Sequence, residues 1–232
     1  MNVAIIPARA GSKRIPKKNV KPFAGEPIIA HSIQAAIASK VFDRVIVTTD
    51  SQEIAAVAKK YGAEAPFFRP PELSDDHTPT APVIVHALEW LLENGVNPTY
   101  ACCIYPTAPF VRAQYLRQGF EVMQEYGCAT SYSVTSFAFP IFRGLMIKDD
   151  GCLEMFWPEF QMTRSQDLTE GYHDAGQFYW ADCAKFLKEP KFYAKDSRPV
   201  ILPRKFVQDI DTLEDWEMAE SMYKALNLKF GE

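Results

Sequence analysis

Hydrophobic positions along the chain follow two alternating patterns. Short apolar runs typical of buried strands occur at residues 3–6, 44–49, 64–68, 100–105, 129–135, 177–181 and 199–202. Apolar residues recur at helical spacing at residues 27–39, 51–61, 81–93, 112–126 and 212–226, and a short helix is predicted to end at Lys188. Strands that alternate with helices imply parallel pairing with right-handed crossovers. The pattern predicts an α/β fold, with residues 1–232 forming a single three-layer, Rossmann-like α/β/α domain around a mostly parallel sheet.

Residues 137–163 break this pattern. They combine many aromatic residues with an Asp150-Gly151 hairpin signal. Two apolar strands this rich in aromatics are poorly suited to face water, which favours a protruding β-hairpin arm that buries against a second copy of the chain. The alternative is a hairpin folded onto its own domain. The residues alone leave these two alternatives open.

Composition and charge narrow the class of protein. The chain has 232 residues, 47% of them hydrophobic, and a net charge of −4. An acidic balance argues against nucleic acid as a partner. No apolar run is long enough to cross a bilayer, and Met1 leaves no room for a signal peptide before the first strand. We therefore expect a cytoplasmic protein that binds neither nucleic acid nor membrane, whose cysteines are reduced and mostly buried.

The first predicted strand ends at Pro7 and opens into a basic loop, residues 8–19, with the sequence ARAGSKRIPKKN. Small residues let backbone N–H groups approach an anion, and Arg and Lys side chains neutralise phosphate oxygens. Open α/β sheets place ligands at the carboxyl ends of their strands, where this loop lies. The alternative is a solvated surface turn. We predict a polyphosphate site that includes Ala8, Arg9, Ala10, Gly11, Ser12, Lys13, Lys18 and Asn19.

Two carboxylates precede the last predicted helix, in the segment QDIDT. Alternation in an extended segment points Asp209 and Asp211 the same way and buries Ile210 on the opposite side. Paired carboxylates that face a phosphate loop suit Mg²⁺, which takes oxygen ligands and shares them with substrate phosphates. Asp211 could instead cap the helix, but capping does not explain Asp209. We predict that both aspartates bind Mg²⁺, as one ion or two.

The segment IPARAGSKRIPKKN resembles the N-terminal motif of the CMP-sugar synthetases, the cytidylyltransferases that activate sialic acid, Kdo, legionaminic acid and pseudaminic acid. QDIDT matches the paired metal-binding aspartates of that family. The resemblance implies a nucleotidyltransferase domain in which a sugar hydroxyl attacks the α-phosphate of CTP and pyrophosphate leaves. Catalysis would then be positioning and charge neutralisation. The residues predicted to carry it are Arg9, Lys13, Lys18 and Asp211. The family uses a similar excursion for dimerisation, so the resemblance also implies that residues 137–163 form a dimerisation arm and that the protein is a homodimer.

The same resemblance implies contacts to the base and the sugar. Arg69 matches the arginine that helps read cytosine, and Thr80 lies where the family contacts the base. The segment YPTAPF resembles the family's QPTSP, with Tyr105 in place of Gln. Nonulosonic acids carry a carboxylate, which Arg can hold bidentately. The predicted sugar-binding residues are Tyr105, Thr107, Arg143, Arg164, Gln166, His173, Asp174, Gln177 and Tyr179.

The segments RSQDL, YHDAGQFYW and FAFPIFR most closely resemble the family members that act on pseudaminic acid. The predicted partners are therefore CTP and a nonulosonic acid, with pseudaminic acid first, for bacterial surface glycans such as glycosylated flagellin. Alternatives are the same reaction on N-acetylneuraminic or legionaminic acid, a non-catalytic nucleotide- or sugar-binding module, or an oligomeric structural protein. Joint retention of Lys13, Lys18, Asp209 and Asp211 favours the enzyme.

Overall fold

The computed structural model describes residues 1–231 and consists of strands alternating with helices. In chain order the elements are β1 (Asn2–Pro7), β2 (Pro22–Phe23), β3 (Glu26–Pro27), α1 (Ile28–Ser39), β4 (Arg44–Thr48), α2 (Gln52–Lys60), α3 (Thr80–Glu93), β5 (Tyr100–Ile104), α4 (Ala113–Tyr126), β6 (Thr130–Ser136), β7 (Leu145–Ile147), β8 (Leu153–Met155), β9 (Tyr172–Asp182), α5 (Cys183–Lys188), β10 (Arg198–Ile201) and α6 (Leu213–Ala225).

Six strands form the central sheet, in the order β10-β6-β9-β5-β1-β4. The pairs β1–β4, β1–β5 and β10–β6 are parallel, whereas β9 runs antiparallel to both β5 and β6. The carboxyl ends of β1, β4 and β5 therefore share one edge of the sheet with the beginning of β9. Side chains from four neighbouring strands converge at that edge.

Helices cover both faces of the sheet, and β1 shows how the sequence dictates this. Its side chains alternate between the faces, so Ala4 and Ile6 join one core cluster while Val3 and Ile5 join another. The first cluster takes residues from α1, α2 and α4, and the second takes residues from α3 and α5. The predicted α/β/α layering is confirmed. The nearly continuous apolar run of β1 reflects burial on both faces.

A third, smaller core anchors the loops that lie at the carboxyl edge. Trp216 and Tyr223 of α6 pack with Phe23, Ile15 from the basic loop and Ile210 from the QDIDT segment. Ile15 and Ile210 are each 1% exposed. One hydrophobic cluster therefore fixes the basic loop and the segment of paired aspartates relative to each other.

The arm, residues 137–163, contains the short antiparallel hairpin β7–β8, as its Asp150-Gly151 signal predicts. Gly151 has a φ of +81°, which suits glycine in a tight turn. Several of its apolar side chains are exposed, among them Phe139, Ile147, Leu153 and Met162. The arm does not join the six-stranded sheet.

The structure corrects several details of the predicted elements. Residues 64–68 form no strand and contribute two isolated bridges, Ile46 with Glu64 and Thr49 with Phe68. β9 begins five residues before the predicted position 177, at Tyr172, and the hairpin of β2 and β3 was not predicted. Cysteines 102, 103, 128 and 183 are free and buried, and Cys152 is free but exposed. Within residues 1–231 no helix is long and apolar enough to cross a membrane.

Candidate active site

A cavity of about 500 Å³, here called the basic cavity, opens at the carboxyl edge of the sheet. The basic loop, the 69–80 segment, the loop after β5 and the start of the α6 segment all contribute to its wall. The predicted site residues that line it are Arg9, Ser12, Lys13, Lys18, Asn19, Arg69, Thr80, Tyr105, Thr107 and Asp211. The structure therefore brings together residues predicted to bind phosphate, base, sugar and metal.

Backbone and side-chain hydrogen bonds hold the basic loop against the sheet. The Ala8 N–H donates to the Thr48 carbonyl at 3.0 Å, which extends the β1–β4 pairing by one step. The Asn19 amide Nδ2 donates to the Arg9 carbonyl at 2.8 Å and so closes the loop on itself. Ala8 is buried, while Ala10 and Gly11 are exposed. No side-chain atom within 4 Å would meet a Cβ at Gly11, so open space surrounds that backbone.

Asp76 pairs with two cations of the basic loop. Its carboxylate lies 2.8 Å from Arg9 Nη1 and also contacts Lys13 Nζ. The hydrogen bond from Lys13, together with the charges of Lys13 and Arg9, lowers the pKa of Asp76. Arg9 donates further to the backbone carbonyl of Asp75. The loop that contains Asp75 and Asp76 therefore lies directly against the residues predicted to hold phosphate.

Asp211 pairs with two further cations of the basic loop. Its Oδ2 lies 2.8 Å from Arg14 Nη1, and its Oδ1 lies 3.6 Å from Lys18 Nζ. Burial lowers the pKa of Lys18, and the negative charges of Asp211 and Asp209 partly oppose that shift. Lys18 is therefore a partly buried cation that lies in the field of both predicted metal ligands.

The carboxylate of Asp211 is not used to cap α6. Thr212 is the N-cap residue, and it forms a reciprocal capping box with Asp215. Asp211 is therefore available to the cavity, and Ile210 beside it is buried as predicted. The helix-capping alternative for Asp211 is wrong.

Arg69 lines the basic cavity with only 5% of its surface exposed. Its Nε donates to Ser74 Oγ at 3.3 Å, and its Nη2 is buried with no hydrogen-bond partner among the residues that the structure describes. The pKa of Arg69 is lowered, mainly by burial and also by the charge of Arg9. The charge of Asp50 partly opposes this shift. A buried guanidinium with an unpaired nitrogen has a strong requirement for an acceptor.

Beside the basic cavity lies a tyrosine cluster made of Tyr105, Tyr132, Tyr179 and Tyr193. Asp174 accepts hydrogen bonds from the Tyr179 hydroxyl at 2.5 Å and from the Tyr193 hydroxyl at 2.6 Å. Burial is the main cause of the raised pKa values of Tyr179 and Tyr193, and the bond to Asp174 adds to it. These tyrosines are neutral donors around a carboxylate.

A second cavity of about 380 Å³ adjoins the tyrosine cluster. It is lined by Tyr105, Tyr179 and Tyr193 together with Phe192 and further residues at 79–81 and 190–191. Thr80 and Tyr105 line both this cavity and the basic cavity, and the Thr80 and Tyr105 hydroxyls lie 3.4 Å apart. The two cavities are therefore neighbours that share one wall.

Other predicted sugar-binding residues lie outside the lining of these two cavities. Arg143 donates to the carbonyls of Gln161 and Thr163 in the arm, and Arg164 pairs with Asp167 at 2.7 Å. Gln166 lines a separate cavity at the base of the arm. The remaining two residues are His173, whose Nδ1 lies 2.8 Å from the Asp174 carbonyl oxygen, and Gln177, which donates to the Phe206 carbonyl.

Sequence reasoning missed Arg14, Asp50, Asp76 and Tyr193. The sequence pattern of Asp50 followed by Glu53 is typical of a capping box at the start of α2, but Ser51 is the N-cap and accepts from the Ile54 N–H at 3.3 Å. Asp50 instead accepts from the Ala10 N–H in the basic loop at 2.8 Å. A signal for Asp50 existed, since it follows strand β4 at the same edge as the basic loop.

The residues around Asp211 fit a magnesium ion. No group of three or more His, Cys, Asp or Glu side chains within residues 1–231 is arranged to hold a metal alone. Magnesium does not need one, because it is usually bound by one or two carboxylates and completes its shell with water and substrate phosphates. Asp211 lines the basic cavity and could supply one such carboxylate. Asp209 is not among the lining residues, although its charge influences the pKa of Lys18, so its role as a second ligand stays a prediction.

Comparison with a solved structure shows the fold. The chain resembles a CMP:2-keto-3-deoxy-manno-octonic acid synthetase complexed with CTP, with a TM-score of 0.68 and 16% identity. The match covers 98% of this chain and 99% of that chain. At this identity the likeness shows the fold, which is that of the nucleotidyltransferases.

Sequence comparison defines the family. The cytidylyltransferase family model matches residues 3–214, and this chain belongs to that family. It is 41% identical to a pseudaminic acid cytidylyltransferase of Campylobacter jejuni subsp. jejuni serotype O:2, over 96% of each chain. It is also 30% identical to a CMP-N,N'-diacetyllegionaminic acid synthase of Legionella pneumophila subsp. pneumophila, over 95% of each chain. The predicted membership of the CMP-sugar synthetases is confirmed.

Proposed function

We propose that this cytidylyltransferase transfers a cytidylyl group from CTP to a nonulosonic acid, with pseudaminic acid as the preferred substrate. The products are the CMP-sugar and pyrophosphate. The observation that carries the substrate assignment is the 41% identity, over 96% of each chain, to a relative named for pseudaminic acid. The relative named for legionaminic acid, at 30% identity, makes that sugar the second candidate.

The basic cavity has the charges that CTP requires. Arg9 and Lys13 would bind phosphate oxygens, with Ser12 and the loop's backbone N–H groups beside them. In the structure Asp76 pairs with these two cations, and Asp211 pairs with Arg14 and Lys18. Carboxylate oxygens are the same kind of hydrogen-bond acceptor as phosphate oxygens. Arg69, buried and with Nη2 unpaired among the described residues, would donate to the cytosine.

The chain's own residues would carry the reaction mainly by positioning and electrostatic stabilisation. Lys18 and Arg14 would offset the charge that accumulates near the bond between the α- and β-phosphates as pyrophosphate leaves. Asp209 and Asp211 would hold Mg²⁺. When bound there, the ion supplies charge neutralisation at the triphosphate.

The tyrosine cluster supports a sugar site next to the nucleotide. Tyr105 and Thr107 line the basic cavity, and Tyr105 also lines the neighbouring cavity with Tyr179. A sugar held there would present its hydroxyl towards the α-phosphate. Hydroxyl donors and aromatic faces together suit a polar sugar ring that also carries apolar substituents.

The test is pyrophosphate release by the purified protein with CTP and Mg²⁺, run in parallel with pseudaminic, N-acetylneuraminic and legionaminic acids and Kdo. We expect release with pseudaminic acid at the highest kcat/KM. A higher kcat/KM with another of these sugars would overturn the substrate assignment and keep the reaction. Absence of release with all four sugars would overturn the reaction itself.

We also propose that the chain acts as a cytoplasmic homodimer assembled through the arm. The support is the exposure of Ile147 and Leu153, 77% and 66% respectively, which are paired across β7 and β8. Ile147→Asp with Leu153→Asp should give a monomer in sedimentation velocity. Ile201→Asp, at an exposed apolar residue of β10, is the matched control and should remain dimeric. A dimer that survives the double change would contradict the role of the arm.

A further inference from the structure

We propose that Asp50 is a positioning residue of the nucleotide site, which ties the basic loop to Arg69 and so sets the distance between the phosphate-binding and base-binding groups. The inference rests on the proposed function, because it takes the basic cavity as the CTP site. Asp50 follows β4 and lies between the two segments that it would join.

The contact with the basic loop is a direct hydrogen bond. Asp50 Oδ1 accepts from the Ala10 backbone N–H at 2.8 Å. Ala10 lies between Arg9 and Gly11, in the part of the loop where backbone N–H groups are expected to approach phosphate. A carboxylate that fixes one N–H of such a loop also fixes the direction of its neighbours.

The connection with Arg69 has a backbone part and an electrostatic part. The Arg69 N–H donates to the Thr49 carbonyl at 2.8 Å, and Thr49 forms a parallel bridge with Phe68. The residue before Asp50 therefore holds the backbone that carries Arg69. The Asp50 charge also favours the charged form of the buried Arg69 guanidinium and opposes the repulsion between Arg69 and Arg9.

Helix α2 does not need Asp50 as its N-terminal cap. Ser51 caps that helix through its own hydroxyl, and the Ser51 N–H donates to Thr49 Oγ1 at 3.1 Å. The cap of α2 is complete without the Asp50 carboxylate. Asp50 and Ser51 are therefore neighbours with different contacts. Asp50 bonds the basic loop, whereas Ser51 caps helix α2.

Asp50 would influence how both the triphosphate and the base of CTP are held. The triphosphate and the base of CTP are covalently joined, so the groups that bind them must be correctly spaced. A small displacement of one group can cost much of the binding energy. Loss of Asp50 should therefore weaken CTP binding through Arg69 as well as through the loop.

The experiment measures the Kd for CTP by calorimetry in the full-length protein, with no sugar present. We expect Asp50→Ala to weaken binding by about tenfold, the size typical of a lost hydrogen bond to a charged group. Asp50→Asn keeps an acceptor oxygen without the charge and should be intermediate. Ser51→Ala should lower Tm and leave Kd unchanged. The double variant Asp50→Ala with Arg69→Ala should be less impaired than the product of the single effects.

Each outcome has a separate meaning. Suppose first that Arg69→Ala weakens CTP binding. The positioning role is then overturned if the effects of Asp50→Ala and Arg69→Ala on Kd multiply strictly. It is also overturned if Asp50→Ala binds CTP as tightly as Ser51→Ala does. If Arg69→Ala itself binds CTP like the unaltered protein, the base assignment in the proposed function fails and the inference falls with it. Asp50→Asn guards against misfolding of the alanine variant, because its side chain has the same size as that of Asp.

Discussion

The proposed nucleotide side and the proposed sugar side of the site are built by different physical means. On the nucleotide side, cations on the basic loop meet carboxylates from other loops, as in the contacts of Arg9 with Asp76 and of Arg14 with Asp211. On the sugar side, hydroxyls of Tyr179 and Tyr193 converge on Asp174, and the rings of Tyr132 and Tyr179 pack against each other on two neighbouring strands of the sheet. One side relies on charge, and the other on hydrogen bonds and shape.

The difference suggests how each side selects its ligand. Ion pairs on partly exposed loops contribute little to stability and can be exchanged for contacts with a phosphate or a metal ion. Of the two hydroxyl donors to Asp174, Tyr179 is buried and costly to rearrange, so it forms the fixed part of this surface. We expect substitutions on the nucleotide side to change CTP binding or turnover, and substitutions on the sugar side to change the sugar KM.

The largest effect is expected from Asp211→Ala. It removes a predicted metal ligand together with the partner of Arg14 and Lys18, and we expect turnover to fall on the order of 10²-fold or more. The measurement is the initial rate of pyrophosphate release as Mg²⁺ is varied, with chelation by EDTA abolishing the rate of the unaltered protein. Glu214→Ala, which removes a neighbouring carboxylate from the first turn of α6, is the control. Full turnover by Asp211→Ala would exclude the metal assignment.

Arg69→Ala should have the next largest effect, specific to the nucleotide side. Loss of a buried guanidinium that is proposed to contact the base should raise the KM for CTP by roughly 10- to 100-fold. The KM for the sugar should stay within about twofold, because steady-state kinetics separate interactions with the two substrates. Arg44→Ala, which breaks an ion pair with Glu64 away from the basic cavity, should leave both values unchanged. A rise in the sugar KM alone would reverse our assignment of the two sides.

Asp174→Ala tests the sugar side and should have a moderate effect. Removing the carboxylate leaves the Tyr179 and Tyr193 hydroxyls without their acceptor, so the tyrosine cluster should shift. We expect the sugar KM to rise about three- to tenfold while the KM for CTP is unchanged. Asp196→Ala, at an aspartate that bonds the Ala129 N–H, is the control for loss of a structural carboxylate. An unchanged sugar KM in Asp174→Ala would contradict the role of the cluster.

Lys17→Ala should have the smallest effect, although Lys17 adjoins Lys18 in the basic loop. Lys17 pairs with Glu53 at 2.9 Å, has a side chain 70% exposed, and is absent from the cavity wall, whereas the Lys18 side chain is 17% exposed and lines it. Exposed ion pairs contribute about 0.2–1 kcal/mol, so the KM for CTP should change by less than about twofold. The measurement is the KM for CTP in Lys17→Ala beside Lys18→Ala. Equal effects of the two substitutions would mean that the loop acts through total charge alone.

The sequence was informative where one local pattern determines the structure. Apolar runs and helical spacing identified the layers, because burial on one or both faces of an element leaves a periodic signal. The Asp150-Gly151 signal identified the hairpin of the arm, since a tight turn restricts residue choice. Burial of Ile210 between two aspartates followed from alternation in an extended segment.

The sequence was uninformative where the outcome depends on contacts between distant segments. The composition of residues 64–68 predicts a strand, yet these residues form only two bridges at the edge beside β4. Asp50 matched a capping pattern, and only the folded chain shows that it lies against Ala10, which is 40 residues away. Asp76 carries no motif of its own and reaches Lys13 through the folding of its loop. Long-range pairing of charges leaves no periodic signal.

The central claim is that nucleotide and sugar are bound by separate sets of residues that share one wall. The most direct test is calorimetric titration of CTP, without sugar, into the unaltered protein, Arg69→Ala and Asp174→Ala. Equal Kd values for the unaltered protein and Asp174→Ala, with binding by Arg69→Ala at least about tenfold weaker, are expected. Equal weakening in both variants, or none in Arg69→Ala, would contradict the division of the site into two sides.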